Sequence, residues 1–430
     1  MRPELRMLKK TCANGLRVIL VQKPDYQKSL FMMGINAGGL NQKETQDGKL
    51  VCHPTGCAHY LEHQMFRLNG EDVTQALAEV GASTNAMTNY TNTFYYVKTS
   101  GEIWKPLELL MDFVQHLEIS EETVNKEKGI ILSEYNMYHQ QPESRIMEEI
   151  QKNLFWEYRM NTDILGTTED IQNMTPEDLQ SFYDCFYDSS QTILCGVTGK
   201  PLEPIMDFIE KHQEHIARRM SGEVIPDYGK EPVEVVRPSS RVQMDIYTPY
   251  AALAVKMKPS GTEEENRRKD MMLTMWLLSV FSPLNPEYQT WMDERLMTPL
   301  FSSECDLTSH HAILMVLAQT EKPEEFLALV KRKLEEKTPI SESVFRTLQI
   351  RDSASFLRGL DDFEDLCLSL ISGTFDGTDP MEEEEIIRSL SAEEVNAFVQ
   401  SLDFSQMTEV VIEPLEENRQ ALAAMAEIEE

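Results

Sequence analysis

The sequence predicts an α+β protein made of two tandem homologous domains, each a mixed sheet covered by helices. Length is the first reason, because 430 residues exceed one core and suggest two or three domains. An internal repeat is the second: the stretches that begin at Ile119 and Asn173 have counterparts that begin at Ile340 and Ser389. The offset is about 220 residues in both cases and the order of elements is the same. Similar amphipathic helices could also produce such a match by chance.

Apolar runs and turn signals predict the elements of the first half. Residues 16–21 follow the Asn14-Gly15 turn signal and predict a strand, and residues 30–37 predict a second strand that pairs with it in a hairpin or meander. The remaining predicted elements are helices over 56–66 and 73–80, a strand over 93–98, a helical stretch from 106 to about 185, and a strand over 192–197. These elements and the repeat predict a first domain over 1–222, a linker rich in Pro, Gly and charge over 223–241, and a second domain over 242–430.

Composition excludes several classes of function. The formal net charge is −32, so nucleic acid and anionic membrane surfaces are disfavoured as partners. The longest apolar stretch, residues 271–284, is too short to span a bilayer and is typical of a buried helix. Seven scattered cysteines without a CxxC pair, together with no apolar signal segment, predict free thiols and a cytoplasmic location.

One sequence motif predicts a metal site. His59 and His63 stand four residues apart in GCAHYLEH, so on a helix both imidazoles can reach one zinc ion. Glu62 shares that face and is placed to accept a proton from a water molecule that a metal activates. This is the H-x-x-E-H order of certain zinc peptidases. The alternative is a solvated helix face with no function.

A zinc site that hydrolyses peptides needs a third protein ligand and an open position. Glu127 and Glu134 lie two helical turns apart in KEKGIILSEY, on one face of the predicted helix. Either glutamate alone is more simply a surface residue. As a pair behind the histidine motif, they become candidates for the site.

These residues resemble the inverzincins, or pitrilysin-type zinc metallopeptidases, particularly the short-chain branch that includes the mitochondrial processing peptidase and the bacterial YmfH-like proteins. The pattern G-x-A-H-x-L-E-H-x-x-F is present from Gly56 to Phe66, the pattern G-A-x-x-N-A-x-T from Gly81 to Thr88, and T-x-Y at Thr93 and Tyr95. The E-x6-E pattern is present at Glu127 and Glu134. The matches cover the first half, and the second half matches only in its order of elements.

The resemblance implies a fold, a metal and a role for each residue. The fold would be a pair of α/β rolls that face each other across a chamber. His59, His63 and Glu134 would bind one Zn²⁺ per chain, Glu62 would act as general base, and Glu127 would support the site. An exposed strand edge would bind an extended peptide substrate along Asn85, Ala86, Met87 and Thr88.

Departures from the family pattern lie in the second half. Leu348 and Ser355 stand where the repeat would place counterparts of Glu127 and Glu134, so we expect no second zinc. Family members often supply an Arg and a Tyr from this half to grip the substrate carbonyl. Here Met292 and Phe301 stand near those positions, and Arg295 is shifted.

The sequence therefore predicts a zinc metalloendopeptidase for unfolded peptides. Its partner would be a second copy or a related chain that supplies the missing Arg and Tyr. The alternative is a non-catalytic assembly or scaffold subunit of the same fold. A structural zinc site at Cys52, His53 and Cys57 has irregular spacing, so a free thiol near the site, open to oxidation, is the preferred interpretation.

Overall fold

A computed structural model of the chain describes residues 5–217 and 224–420, and the predicted boundary at 222–223 lies outside them. The strands are β1 (Arg6–Thr11), β2 (Arg17–Gln22), β3 (Ser29–Ile35), β4 (Lys43–Gln46), β5 (Lys49–Cys52), β6 (Arg67–Leu68), β7 (Glu71–Asp72), β8 (Ala82–Thr88), β9 (Thr93–Thr99), β10 (Thr192–Thr198), β11 (Val224–Pro226), β12 (Ser239–Met244), β13 (Tyr250–Met257), β14 (Phe301–Leu307), β15 (Ala312–Gln319) and β16 (Met407–Pro414). The helices are α1 (Cys57–Gln64), α2 (Val73–Glu79), α3 (Trp104–Val114), α4 (Glu121–His139), α5 (Pro142–Leu154), α6 (Thr168–Asn173), α7 (Pro176–Phe186), α8 (Leu202–Gln213), α9 (Glu263–Phe281), α10 (Tyr288–Asp293), α11 (Pro323–Glu336), α12 (Glu342–Gly359), α13 (Phe363–Asp376), α14 (Glu383–Ser389) and α15 (Ala392–Ser401). This content confirms the α+β class.

Two compact units form, and neither is continuous in sequence. Unit 1 contains the described residues of Met1–Tyr135, Thr162–Tyr228 and Phe356–Met381. Unit 2 contains those of Asn136–Asn161, Gly229–Ser355 and Glu382–Glu430. The division of the chain into 1–222, 223–241 and 242–430 stays a prediction about chain order, because packing assigns one segment of each half to the other unit.

Unit 1 is built on a six-stranded sheet in the order β1-β2-β10-β3-β9-β8. Strand β10 runs parallel to β2 and antiparallel to β3, and it lies between them. The predicted pairing of residues 16–21 with residues 30–37 is therefore wrong. Strand β2 pairs instead with β1, across the Asn14-Gly15 turn. The charged, mostly exposed sequence RMLKKT gave no apolar signal for β1.

The central strands of unit 1 are buried on both faces. In β2, Val18 and Leu20 belong to one apolar cluster, whereas Ile19 and Val21 belong to another on the opposite face. Side chains alternate between the faces of a strand, so a strand buried on both faces needs apolar residues at every position. This explains why continuous apolar runs predicted β2, β3 and β10.

One face of each sheet is covered by a helix from the other half of the chain. Helix α13 packs on β10 and β3 in unit 1, and α5 packs on β13 and β16 in unit 2. A Cβ atom at Gly34 in β3 would lie 2.4 Å from the Ile371 side chain, so this glycine allows α13 to approach closely. Helices α5 and α13 follow α4 and α12 respectively, at equivalent places in the two repeats.

Unit 2 repeats the strand order of unit 1. Its five-stranded sheet has the order β12-β16-β13-β15-β14, which corresponds to β2-β10-β3-β9-β8. The pair β2-β10 in unit 1 and the corresponding pair β12-β16 in unit 2 are both parallel. Thr175 and Ser391 cap the equivalent helices α7 and α15 by accepting a backbone N–H three residues on. The internal repeat is therefore confirmed as a repeat of structure.

The predicted linker is partly ordered. Strand β11 pairs with β4 in unit 1, and β12 begins at Ser239 in unit 2. Among the described residues of this stretch, only 227–238 lack helix or strand. The apolar run over 271–284 falls mostly in α9, whose apolar side chains are buried. Among the described helices, none is both long enough and apolar enough to cross a membrane.

Candidate metal centre

Helix α1 begins where only glycine fits. Gly56, which precedes the helix, has a φ of 76°, and a Cβ atom there would lie 2.1 Å from the Leu165 carbonyl oxygen. The preceding Thr55 donates its backbone N–H to Asp170 at 3.1 Å, and its hydroxyl accepts the Thr167 N–H at 2.9 Å. These contacts fix the start of the helix that carries the histidines.

Helix α4 is tied directly to α1. The Tyr60 hydroxyl donates to the carbonyl oxygen of Val124 at 2.5 Å, and the Gln64 amide donates to that of Thr123 at 3.4 Å. Both acceptors lie in the first turn of α4. The two bonds set the distance between the helix with the histidines and the helix with the glutamates.

The two helices bring three potential ligands together. One ligand atom from each of His59, His63 and Glu134 lies within 4.8 Å of the others, and this is the one group of three or more metal-binding side chains among the described residues. Glu134 Oε2 lies 3.3 Å from His63 Nε2 and 3.8 Å from His59 Nε2. Ligand atoms around a tetrahedral zinc ion are about 3.4 Å apart, so the spacing fits zinc.

The three ligand atoms lie so close together that a positive charge between them would be stabilising. Burial and the neighbouring His63 lower the pKa of His59 to about 4. Burial also disfavours a charge on His63, but hydrogen bonds to Glu127 and Glu134 outweigh it and raise the His63 pKa to about 9. The hydrogen bond from His63 lowers the pKa of Glu134. The site therefore attracts a cation, and the donor set of two imidazoles and one carboxylate suits zinc.

Glu127 is not one of the three clustered ligands, but it contacts one of them, His63. Its Oε2 lies 3.5 Å from His63 Nδ1, on the far side of the ring from Glu134. A carboxylate at that nitrogen holds the proton there and leaves Nε2 as the donor to a metal.

Glu62 lies beside the cluster on α1 and is held by a strand. Burial raises the pKa of Glu62, and a hydrogen bond from the Thr88 hydroxyl partly offsets the rise. The Thr88 Oγ1 to Glu62 Oε2 distance is 2.5 Å. A carboxylate with a raised pKa next to a metal site is suited to accept a proton near neutral pH.

Strand β8 is the edge strand that the resemblance predicts. It pairs with β9 at one end of the six-stranded sheet. Ala86 packs against the cluster that contains α1, whereas Met87 packs against the cluster on the other face. Asn85 is exposed and Thr88 faces Glu62. Peptide binding by these four residues stays a prediction.

In unit 2 the counterparts of Glu127 and Glu134 are not carboxylates. Leu348 is fully buried in the apolar core of unit 2, and Ser355 is exposed on α12. Met292 and Phe301 pack against the same core. Arg295 is exposed and pairs with Glu321 at 3.1 Å.

The cysteines form no metal cluster in the described structure. All seven are free, with Cys52 exposed and Cys57 buried. Burial raises the pKa of the Cys57 thiol well above its usual range and so disfavours the reactive thiolate at this residue. Oxidation of a thiol near the site stays a prediction. His53 instead faces the buried carboxyl of Glu44 at 3.5 Å.

Sequence reasoning missed the residues that hold the site together. No motif marks Tyr60 or Gln64, whose contacts depend on the packing of α4 against α1. Thr88 was visible as part of the N-A-x-T pattern, but its contact with Glu62 was not.

Comparison with known proteins agrees with this geometry. A family model described as Insulinase (Peptidase family M16) matches residues 17–168, and one described as Peptidase M16 inactive domain matches residues 173–345. The chain belongs to peptidase family M16. The resemblance seen in the sequence is thereby confirmed.

Several M16 relatives are similar over much of the chain. The uncharacterized zinc protease YmfH of Bacillus subtilis is 28% identical over 316 residues, which cover 73% of this chain and 74% of that protein. The mitochondrial-processing peptidase subunit beta of Neurospora crassa is 28% identical over 207 residues, 47% of this chain and 42% of that protein. The crystal structure of an M16-like peptidase from Alicyclobacillus acidocaldarius has a TM-score of 0.92 and 25% identity, over 96% of this chain and 100% of that one. A protease from Helicobacter pylori shares the fold, with a TM-score of 0.82 at 18% identity, over 95% of this chain and 100% of that one.

Proposed function

We propose that this chain is a zinc-dependent endopeptidase that hydrolyses unfolded peptides or oligopeptides. The proposal rests on the convergence of His59 and His63 of α1 with Glu134 of α4, whose ligand atoms lie within 4.8 Å of one another, and Glu62 stands on α1 beside them. Membership of a peptidase family supports the reaction, and the YmfH relative, named a zinc protease, supports the metal.

The residues divide the chemistry between them. His59, His63 and Glu134 hold the ion, which when bound supplies Lewis acidity that polarises a peptide carbonyl and acidifies water. Glu62 accepts the proton of the attacking water and delivers it to the leaving amine nitrogen. Glu127 orients His63 through Nδ1, as a positioning residue.

The edge of β8 supplies the substrate site in this proposal. An extended peptide pairs with the main chain along Asn85–Thr88 as an additional strand. Because main-chain pairing reads no side chains, it favours unfolded peptides of varied sequence. Thr88 at the end of this edge contacts Glu62, so the scissile bond would lie close to the base.

A second chain completes the site in the form that we propose as active. Met292 and Phe301 pack against the core of unit 2 and have no polar group that could bind a substrate carbonyl. Relatives named as beta subunits of the mitochondrial-processing peptidase support an arrangement in pairs. The partner in this form is a related M16 chain that carries the Arg and Tyr. The alternative partner is a second copy of this chain, which has the same Met292 and Phe301 and would leave those groups missing.

The test compares wild type, Glu62→Gln and His63→Ala for zinc content and for cleavage of a mixed pool of unfolded peptides. Each protein is assayed alone and with a related M16 chain that carries the Arg and Tyr. We expect Glu62→Gln to keep zinc and lose cleavage, and His63→Ala to lose both. Wild-type cleavage should rise when the partner is added.

The second candidate function is a non-catalytic assembly subunit, which the replacement of the family Arg and Tyr by Met292 and Phe301 favours. Wild type that binds zinc but cleaves nothing with either partner would support it. Equal cleavage by all three proteins would contradict the zinc mechanism.

A further inference from the structure

Glu62 must present its carboxylate in one orientation to act as a base. A glutamate side chain has three rotatable bonds, and its terminal torsion is broad and weakly restrained. Burial of the aliphatic part therefore does not fix the direction of the oxygens. A hydrogen bond to one oxygen does, and the Thr88 hydroxyl makes such a bond to Oε2 at 2.5 Å.

Thr88 is itself held in place. It is the last residue of β8 and pairs with Thr93 across the β8–β9 hairpin. The turn that follows is closed by the Asn89 N–H, which donates to the Asn92 carbonyl at 2.9 Å. The Asn89 carbonyl accepts the Gly39 N–H at 2.9 Å, which fastens the turn to the loop after β3. The β-branched side chain of threonine further restricts where the hydroxyl points.

We propose that Thr88 is a positioning residue for the proposed reaction, which fixes the Glu62 carboxylate so that its other oxygen faces the attacking water. This inference rests on the proposed function. It changes the role that the resemblance implies for Thr88, because the side chain serves Glu62 while only the main chain is left for the peptide.

The two roles predict different kinetics. If Thr88 positions the base, removal of the hydroxyl slows the chemical step and lowers kcat, while KM stays near the wild-type value. If the hydroxyl binds peptide, its removal raises KM and leaves kcat unchanged.

The experiment compares Thr88→Val, which keeps the shape and loses the donor, with Thr88→Ser, which keeps the donor. The control is Thr84→Val: Thr84 lies on the same strand, and its hydroxyl donates to the Tyr96 carbonyl at 2.8 Å, away from Glu62. All are assayed as the full chain with the partner, on one defined peptide, after zinc content is measured.

We expect Thr88→Val to keep zinc and KM while kcat falls by about tenfold to a hundredfold. Thr88→Ser should recover most of kcat, and Thr84→Val should stay within about twofold of wild type. An unchanged kcat in Thr88→Val, a change confined to KM, or an equal fall in Thr84→Val would overturn the inference alone. An inactive, zinc-loaded wild type would overturn the proposed function together with it.

Discussion

Single contacts decide the chemistry of the candidate site. His63 lies between two carboxylates, with Nε2 near Glu134 and Nδ1 near Glu127. The two carboxylates differ in position: Glu134 lies near both His63 Nε2 and His59 Nε2, whereas Glu127 lies near His63 Nδ1. We therefore predict that Glu127 would act on a metal bound at Nε2 through the imidazole.

Glu127→Gln should weaken zinc binding about tenfold to a hundredfold, because an amide restrains the Nδ1 proton less strongly than a carboxylate does. A competitive titration with a zinc chelator measures the change in dissociation constant. Glu122→Gln, an exposed residue in the first turn of the same helix, is the matched control. Equal affinities for the two variants would show that Glu127 does not support His63.

The sequence was sufficient to predict which site residues share one face of a helix. His59, Glu62 and His63 share one helix, so their spacing alone predicted a common face. The approach of Glu134 was inferred from the family pattern, because its distance from His63 depends on how α4 packs against α1. The contact of Thr88 with Glu62 joins a strand to a helix and has no signature in local sequence.

Among the secondary-structure elements, α1 begins at a close contact between two backbone segments, one at Thr55-Gly56 and the other at Leu165-Gly166. Gly56 and Gly166 both have positive φ, and a Cβ on Gly166 would lie 2.5 Å from the Thr55 carbonyl oxygen. A side chain at either glycine would overlap a backbone carbonyl group. A carbonyl group cannot move aside as the end of a flexible side chain can, so both positions require glycine.

Gly56→Ala should destabilise the protein by at least about 2 kcal/mol, because the new methyl group overlaps the Leu165 carbonyl and the φ of 76° is unfavourable for alanine. Gly129→Ala in α4 is the control: a Cβ there meets nothing within 4 Å, and alanine favours helix by up to about 1 kcal/mol. Urea unfolding of both variants gives the comparison. A Gly56→Ala protein as stable as wild type would refute the close approach.

Glu44 on β4 and His53, the residue after β5, are a buried acid and base that favour their neutral forms. Burial raises the pKa of Glu44 to about 7 and lowers that of His53 to about 4. Their distance of 3.5 Å alone would suggest an ion pair, but burial of both side chains outweighs it. The stabilising contribution of Glu44 is lost as pH rises from about 4.5 to about 7, and that of His53 is lost as pH falls from about 6.5 to about 4.

Glu44→Gln should remove only the first of these two opposing effects. Its free energy of unfolding, relative to wild type, should therefore be higher at pH 7.5 than at pH 5. Urea unfolding at the two pH values measures this difference, with the exposed Glu71→Gln as control. A difference that does not change with pH would contradict the neutral state of Glu44.

At the scale of the whole molecule, the repeat was visible in the sequence but the exchange of helices was not. Similar spacing of elements predicted two copies and their order. Which sheet each helix covers depends on packing, and residues 142–154 carry no signal that α5 belongs to the unit of the other half. The same holds for β10, which lies between β2 and β3 although it is distant from both in sequence.

A fragment of residues 1–222 should not fold as unit 1 does. It lacks α13, so nine buried side chains on one face of the sheet lose their cover; they are Ile19, Val21, Leu30, Met32, Phe94, Tyr96, Ile193, Cys195 and Val197. We expect this fragment to aggregate or bind a hydrophobic dye. Co-expression with residues 223–430, which contain α13, should restore a soluble protein. A monomeric, cooperatively unfolding 1–222 fragment would contradict the exchange.

We propose that one zinc ion binds at His59, His63 and Glu134. The most direct test is the metal content of the purified full chain by mass spectrometry, for wild type and for His63→Ala, after dialysis against zinc-containing buffer and then metal-free buffer. We expect one zinc per wild-type chain and almost none in His63→Ala. Zinc retained at the wild-type level in His63→Ala, or no zinc in wild type, would contradict it.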